Sequence, residues 1–286
     1  VVQTADVGRR MHRMRKTAGK QGGTRIVRIL RSTRSQRFRA GHAQAGAQVG
    51  NVGVDRVSCP PAPVEDVRMQ DHERAARQSL IDHCCAMNAS GLSLGKSGNA
   101  SLRWGDGLLI TPTGRAYDRL QPEDIVYLQA DGRCPPGQLL PSSEWRFHCD
   151  ILRSTPDIHA VVHTHSTHAT ALACLGEGIP AFHYMVAVAG GADIPCADYA
   201  TFGTPELSNN VLNALQGRRA CLMANHGQVA TGATLSAAYE LAQEVENLAR
   251  QYMLARSLGP TRNLSAAEMA RVVEKFRTYG QQRSDD

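Results

Sequence analysis

Residues 160–170 read AVVHTHSTHAT, an apolar run that ends in three histidines, His163, His165 and His168. DIHAVVHTH has the pattern of a buried strand, and HSTHATALACLG changes to helical spacing, so a strand feeds directly into a helix. Alternate strand residues point to one face, which projects His163 and His165 together, about 7 Å apart along the strand. Two imidazoles so placed can grip one ion and need a third ligand from elsewhere. His226, in LMANHG, is the best candidate, because it too ends an apolar strand and is followed by a glycine. His168 falls on the helix, about one turn along, and is less well aimed. Three neutral imidazoles suit Zn2+ and leave a coordination position open for a substrate. A single strand-end histidine is more often an ordinary polar residue, but His-x-His joined by a second strand-end His-Gly favours the metal. His148, His159 and His183 have no partner at useful spacing and are expected to be packed or surface histidines.

Outward from this strand, helical and strand patterns alternate. DHERAARQSLIDHCCAMNAS carries apolar residues at helical spacing. GLSLGKSGNASLRW is a glycine-rich loop running into a strand. LLIT (108–111) is a short strand closed by the turn TPTG, and DIVYLQADGRC is a strand followed by a D-G turn. SSEWRFHCDILRSTP is expected to be a helix capped by Ser142 or Ser143 and stopped by Pro156. TPELSNNVLNALQG is a helix ending at Gly217, and RACLMANHG is another buried strand. TLSAAYELAQEVENLARQYMLARSLG is the longest helix, and SAAEMARVVEKFRTYG closes the chain. Such alternation indicates a layered α/β domain.

The 286 residues suffice for one large domain or two small ones. No run approaches the roughly 18 consecutive apolar residues that would span a membrane, and the N-terminus lacks the apolar core of a secretory signal. The eight cysteines (Cys59, Cys84, Cys85, Cys134, Cys149, Cys174, Cys196 and Cys221) contain no C-x-x-C pair. That usage fits reduced thiols in the cytoplasm better than a disulfide framework.

The net charge of +6 is unevenly spread: residues 1–68 hold 14 Lys and Arg against 4 Asp and Glu, the other 218 residues 18 against 22. The basicity therefore belongs to the first quarter, and nucleic-acid binding by the whole chain does not follow from it. RIVRILRSTRSQRFRAGHAQAGAQVG has few large apolar residues, and the Pro-rich VSCPPAPVED follows it. Residues 1–68 are expected to be disordered, since such composition cannot offset the entropy of ordering. A nucleic-acid or membrane arm, an Arg-rich transit peptide and a stretch upstream of the true start all fit. Met69, where the ordered pattern begins, favours the last and sets the expected domain at 69–286.

Several short motifs suit an anion. The backbone N–H groups of GKSGN (95–99) could cradle a phosphate, although most such loops are merely turns. PTG (112–114) is a tight turn with a hydroxyl and an N–H. PSSE (141–144) puts two hydroxyls at a helix start, where backbone donors and the dipole favour an anion; a plain N-cap is the simpler account of that motif alone. Glu144, beside these serines, is a carboxylate that could serve as a general base.

From Met69 to about Tyr279 the chain resembles the class II aldolase/adducin family. The matching stretches, in the family's order, are SGNASLR, LLITPTG, LPSSEWRFH, AVVHTHSTH, IPAFHYMVAVAGG, IPCADYATFGT, NHG and EKFRTYG. IPAFHYM and YATFGT point to its fuculose-phosphate branch. The resemblance implies a three-layer α/β/α domain around a central, mainly antiparallel or mixed sheet. It implies one Zn2+ per subunit on His163, His165 and His226, with Glu144 as acid/base and as a further ligand when no substrate is bound. It places the substrate phosphate on Asn99, Thr113, Gly114, Ser142 and Ser143. Tyr184 would reach a neighbouring subunit's site as a proton donor, Tyr279 would lie on a tail that closes over the substrate, and the assembly would be a cytoplasmic homotetramer with sites between subunits. The family loop is often G-T-x-G-N; here Lys96 replaces the threonine, either adding a cation at the phosphate or standing as a solvated loop lysine.

The implied reaction is cleavage of L-fuculose 1-phosphate to dihydroxyacetone phosphate and L-lactaldehyde, with the metal holding the charge left beside the carbonyl, so no lysine nucleophile is needed. Another ketose 1-phosphate, such as 5-deoxyribulose 1-phosphate, decarboxylation of a sugar-acid phosphate, and epimerisation are the alternatives in the same site. A non-catalytic adducin-like domain is disfavoured, because those domains lose the ligand histidines. Nucleic-acid binding would have to run through residues 1–68.

Overall fold

The computed structural model describes residues 70–277. The expectations for residues 1–68 and for Tyr279 lie outside that range. Seven strands form one sheet in the order β3-β2-β1-β4-β7-β6-β5. They are β1 Asn99–Trp104, β2 Gly107–Ile110, β3 Val126–Leu128, β4 Ala160–Thr164, β5 Cys196–Ala197, β6 Ala220–Met223 and β7 Gly227–Gly232. Every neighbouring pair is antiparallel except β5 with β6. The sheet is therefore mixed and mainly antiparallel. Six α-helices cover it: α1 Asp71–Ala89, α2 Trp145–Ser154, α3 Thr167–Ala173, α4 Pro205–Ala214, α5 Leu235–Leu258 and α6 Ala266–Phe276.

Strand alternation sorts the core into two layers. Leu80 of α1, Leu172 of α3 and Val245 of α5 pack with Ala100, Val162, Leu222 and Ala230 on one face. Phe147 and Ile151 of α2 and Val211 of α4 pack with Val161, Cys221 and Val229 on the other. Helices thus lie on both faces, in three layers.

Two local features depart from the sequence expectation. First, the N-cap of α2 is Glu144, with no side-chain cap bond, not Ser142 or Ser143. The Ser142 N–H is tied to Thr111 O at 3.0 Å, holding the serine at the end of β2. Its hydroxyl accepts from Glu144 N at 3.3 Å, so the serine turn lies just upstream of the helix. The helix ends at Ser154, and Thr155 is extended ahead of Pro156, as a residue before proline prefers.

Second, GQVATG forms β7, a strand that periodicity does not announce because glycine and alanine are depleted in strands. Every residue of it is buried, between β4 and β6. A Cβ on Gly232 would fall 2.6 Å from Ala238 N and 2.9 Å from Thr234 O. Both are backbone atoms at the start of α5, so only glycine lets α5 sit this close to the sheet. Gly232→Ala is expected to destabilise the fold by about 1–3 kcal/mol, the usual range for forced overpacking; a urea midpoint equal to that of the unaltered protein would refute the close-approach account.

Candidate active site

One end of the sheet collects the chemistry. Antiparallel pairing sets Asn99, the first residue of β1, opposite His163 near the end of β4. It also sets Thr164 opposite Gln228 of β7. The β6–β7 hairpin turns at the same end, with Met223 paired to Gly227, so its tip presents His226. Asn225, just before it, has φ +55°, the left-handed conformation that asparagine tolerates better than most residues. Gly98, with φ +89°, precedes Asn99, and a Cβ there would stand 2.7 Å from His163 O.

Glu144, His163, His165 and His226 converge with one ligand atom each, all within 4.8 Å of one another. The three imidazole centroids are 4.9 Å apart pairwise. His163 Nε2 lies 3.0 Å from His165 Nε2 and 3.2 Å from Glu144 Oε2. His226 Nε2 lies 3.0 Å from Glu144 Oε1. His163 is wholly buried and Glu144 nearly so, while His165 is open to solvent.

This donor set fits a divalent cation. His163 Nδ1 sits 2.8 Å from the backbone oxygen of Gln228, which can only accept. Nδ1 therefore carries the proton, and in the neutral ring Nε2 presents its lone pair to the cluster. Glu144 Oε1 is buried without a hydrogen bond. Acceptor atoms this close repel one another unless a proton or a cation stands among them.

The electrostatics agree with a tightly coupled group. Burial pushes the Glu144 carboxyl up, but His163 and His226 outweigh it and hold it well below the usual carboxylate range. Burial pulls His163 down, and the Glu144 charge beside it more than reverses that. His165, partly desolvated and beside the other two rings, is pulled down to about 4.

A cavity of about 350 Å³ opens beside the cluster. Thr113, Gly114, Ser142, Ser143 and Asn99 line it together with Glu144, His165 and His226. The anion-suited residues and the ligand group thus share one space. Lys96 is exposed on its wall. Tyr199 and Phe202 also line it, each more than half exposed. Tyr184 does not: it lies in a 3-10 helix, half exposed, with its ring stacked 6.5 Å from Phe276.

The other histidines divide. His168 pairs through Nδ1 with Glu246 at 2.7 Å and takes no part in the cluster. His159 is exposed, and His183 caps the 3-10 helix by accepting from Met185 N. His148 is packed, as expected, but its place was not foreseen: it is wholly buried and bonded to Asn99 and Ser101. Its i+4 spacing from Glu144 on a helical stretch was the available signal. For Gln228 there was none, because it acts through its backbone oxygen.

The model for the class II aldolase and adducin N-terminal domain matches residues 78–253. The chain belongs to this family. It is 55% identical over 206 residues to the 5-methylthioribulose-1-phosphate/5-deoxyribulose-1-phosphate aldolase of Rhodospirillum rubrum, covering 72% of this chain and 93% of that protein. It is 49% identical over 211 residues to an Escherichia coli L-fuculose phosphate aldolase, covering 73% and 97%. A solved L-fuculose 1-phosphate aldolase structure superposes with a TM-score of 0.69 at 40% identity, covering 71% of this chain and 96% of that one. The chain is an enzyme of the aldolase class, an aldehyde-lyase. Among the described residues no helix is long and apolar enough to cross a membrane.

Burial, then the nearby His163, pulls the His148 imidazole down to about 3. An unfolded histidine titrates near 6.5. Between these values the unfolded chain binds a proton that the folded chain does not, so stability falls as pH drops from about 6.5 towards 3. His148→Gln is expected to flatten that decline in urea midpoints measured against pH; an unchanged slope would show that His148 binds its proton equally in the folded and unfolded chain.

Proposed function

We propose that the chain is a zinc-dependent aldolase that reversibly splits a ketose 1-phosphate into dihydroxyacetone phosphate and a short aldehyde. The observation that carries this reading is Glu144: a buried carboxylate that converges with three histidines and lines the same cavity as Ser142, Ser143, Thr113 and Gly114.

His163, His165 and His226 hold the ion, with Glu144 as a further ligand before substrate arrives. Zinc is the ion that such an imidazole set favours. When bound, it supplies a Lewis acid for the negative charge that cleavage leaves on the carbonyl half. Glu144 moves a proton to or from the carbon beside the carbonyl. Ser142, Ser143, Thr113, Gly114 and Asn99 hold the phosphate near the start of α2, where the helix dipole favours an anion. That anchor orients the scissile bond with binding energy from a remote group. Lys96 adds a cation on the same wall.

Tyr184 exchanges a proton with the oxygen of the departing aldehyde in a neighbouring subunit of a cytoplasmic homotetramer; Tyr279, assigned as a further catalytic residue, lies outside the described residues. The half-exposed position of Tyr184 outside its own chain's cavity supports its role. The catalytic domain is assigned to residues 69–286.

L-Fuculose 1-phosphate, which would release L-lactaldehyde, is the substrate implied by the sequence resemblance. 5-Deoxyribulose 1-phosphate, which would release acetaldehyde, is favoured by the higher identity to the Rhodospirillum rubrum enzyme. The two sugars share the dihydroxyacetone phosphate half and differ only in the tail.

Dihydroxyacetone phosphate release from both sugars, with and without chelator, tests the reading in the full chain and in the Met69–Asp286 protein. Chelator-sensitive release by both proteins is expected; release that survives complete metal removal would sink the metal assignment. The ratio of kcat/KM for the two sugars assigns the tail. Glu144→Gln should retain the ion and lose about 10²–10⁴-fold in kcat, the usual span for a general acid or base; full activity would refute its role. Lys96→Thr should raise KM a few-fold with kcat unchanged, as fits an exposed ion pair of about 1 kcal/mol or less. An unaltered KM would make Lys96 a solvated loop residue.

A further inference from the structure

Behind the carboxylate lies a buried chain of hydrogen bonds that runs through Asn99 to His148 and Ser101. Asn99 Nδ2 donates to Glu144 Oε2 at 2.9 Å. A primary amide keeps its donors on nitrogen and its acceptor on oxygen. With nitrogen on Glu144, the amide oxygen Oδ1 is left to His148 Nε2, 2.5 Å away. An oxygen there demands a donor, so Nε2 carries the proton. Nδ1 then bears the lone pair, and Ser101 Oγ, 2.7 Å away, donates to it.

The donors therefore run in one direction, from Ser101 to His148, from His148 to Asn99 and from Asn99 to Glu144. Ser101 and Asn99 alternate on β1, so both side chains leave the same face. His148 lies one turn beyond Glu144, at the start of α2, with its ring stacked on Phe147 at 4.6 Å. His148, Asn99 and Ser101 are all buried.

We propose that His148 is a positioning residue for Glu144: as a neutral imidazole protonated on Nε2, it locks the Asn99 amide so that an N–H, not the C=O, meets the carboxylate. The inference rests on the proton-transfer role proposed for Glu144. The reversed amide would set its oxygen against Glu144 Oε2 and its nitrogen against the Nε2 proton, leaving two acceptors facing at one contact and two donors at the other. The bond from His148 adds to the demand of the carboxylate for an N–H, and together they exclude the reversed orientation. Asn99 Nδ2 keeps a second N–H, so its proposed contact with the phosphate is unaffected.

The test uses the full-length, zinc-loaded protein. His148→Leu is expected to lower kcat about 10–100-fold, the usual cost of losing an outer partner of a metal site, with KM and zinc content nearly unchanged. His148→Gln, whose side-chain N–H can take the place of Nε2–H, should recover most of that loss. Full kcat in the leucine variant, or equal losses in both variants that follow their melting temperatures, would overturn the proposal. Should the leucine variant not fold, 15N NMR of histidine in the unaltered protein reads the same point without turnover. Protonation at Nε2 alone supports the inference, and protonation at Nδ1, or at both nitrogens, sinks it. An unaltered protein that cleaves no ketose 1-phosphate removes the role of Glu144 and the inference with it. A wrong tautomer in an active protein removes the inference alone.

Discussion

A carboxylate buried against imidazoles is the constraint on which the rest of the structure depends. Taking the Glu144 charge out of water costs several kcal/mol unless close partners compensate. A proton or a cation shared with His163 and His226, which stand 3.2 and 3.0 Å from the carboxylate, is what compensates it. Each ring is placed by backbone. His163 is held by its strand and by the Gln228 carbonyl, and His226 by a hairpin tip. The cluster is assembled from strand ends and a helix start, and a group of converging donors is what ion binding requires.

Topology explains why these pieces meet. β1 and β7 flank β4 and run antiparallel to it. The start of each flanking strand therefore lies beside the end of β4, where the histidines stand. Two residues after Asn99, Ser101 falls on the same side of β1, and one turn after Glu144, His148 falls beneath it. The polar layer behind the carboxylate thus follows from strand alternation and helix pitch, with no added element.

Much of this was legible in the sequence, and the losses have physical causes. His163 and His165 could be paired because their spacing matches the strand period. His226 could be joined to them because a second apolar strand ended in His-Gly. Strand β7 could not be read, since its glycines exist to let backbone approach closely and carry no hydrophobic period. The α2 cap falls past Ser142 because the Ser142 hydroxyl accepts from Glu144 N in a turn upstream of the helix, which spacing does not reveal. His148 looked idle because its partners, Asn99 and Ser101, lie 49 and 47 residues away. Sequence spacing reports neighbours within an element, whereas the site is made of contacts between elements.

The two ends of the cavity differ in how firmly they are built. The ligand end rests on strand termini, on the α2 start and on buried hydrogen bonds. The opposite wall includes Tyr199 and Phe202, 61% and 62% exposed, on the loop before α4. In a hydrophobic pocket one methylene is worth only about 1–3 kcal/mol of discrimination. On the proposed reaction, an exposed aromatic wall would therefore separate two ketose 1-phosphates weakly where their tails differ. Activation and phosphate anchoring would stay common to both, because the groups assigned to them belong to the ligand end. On that reaction, substrate choice would fall to a few loop side chains and could change without disturbing the buried carboxylate.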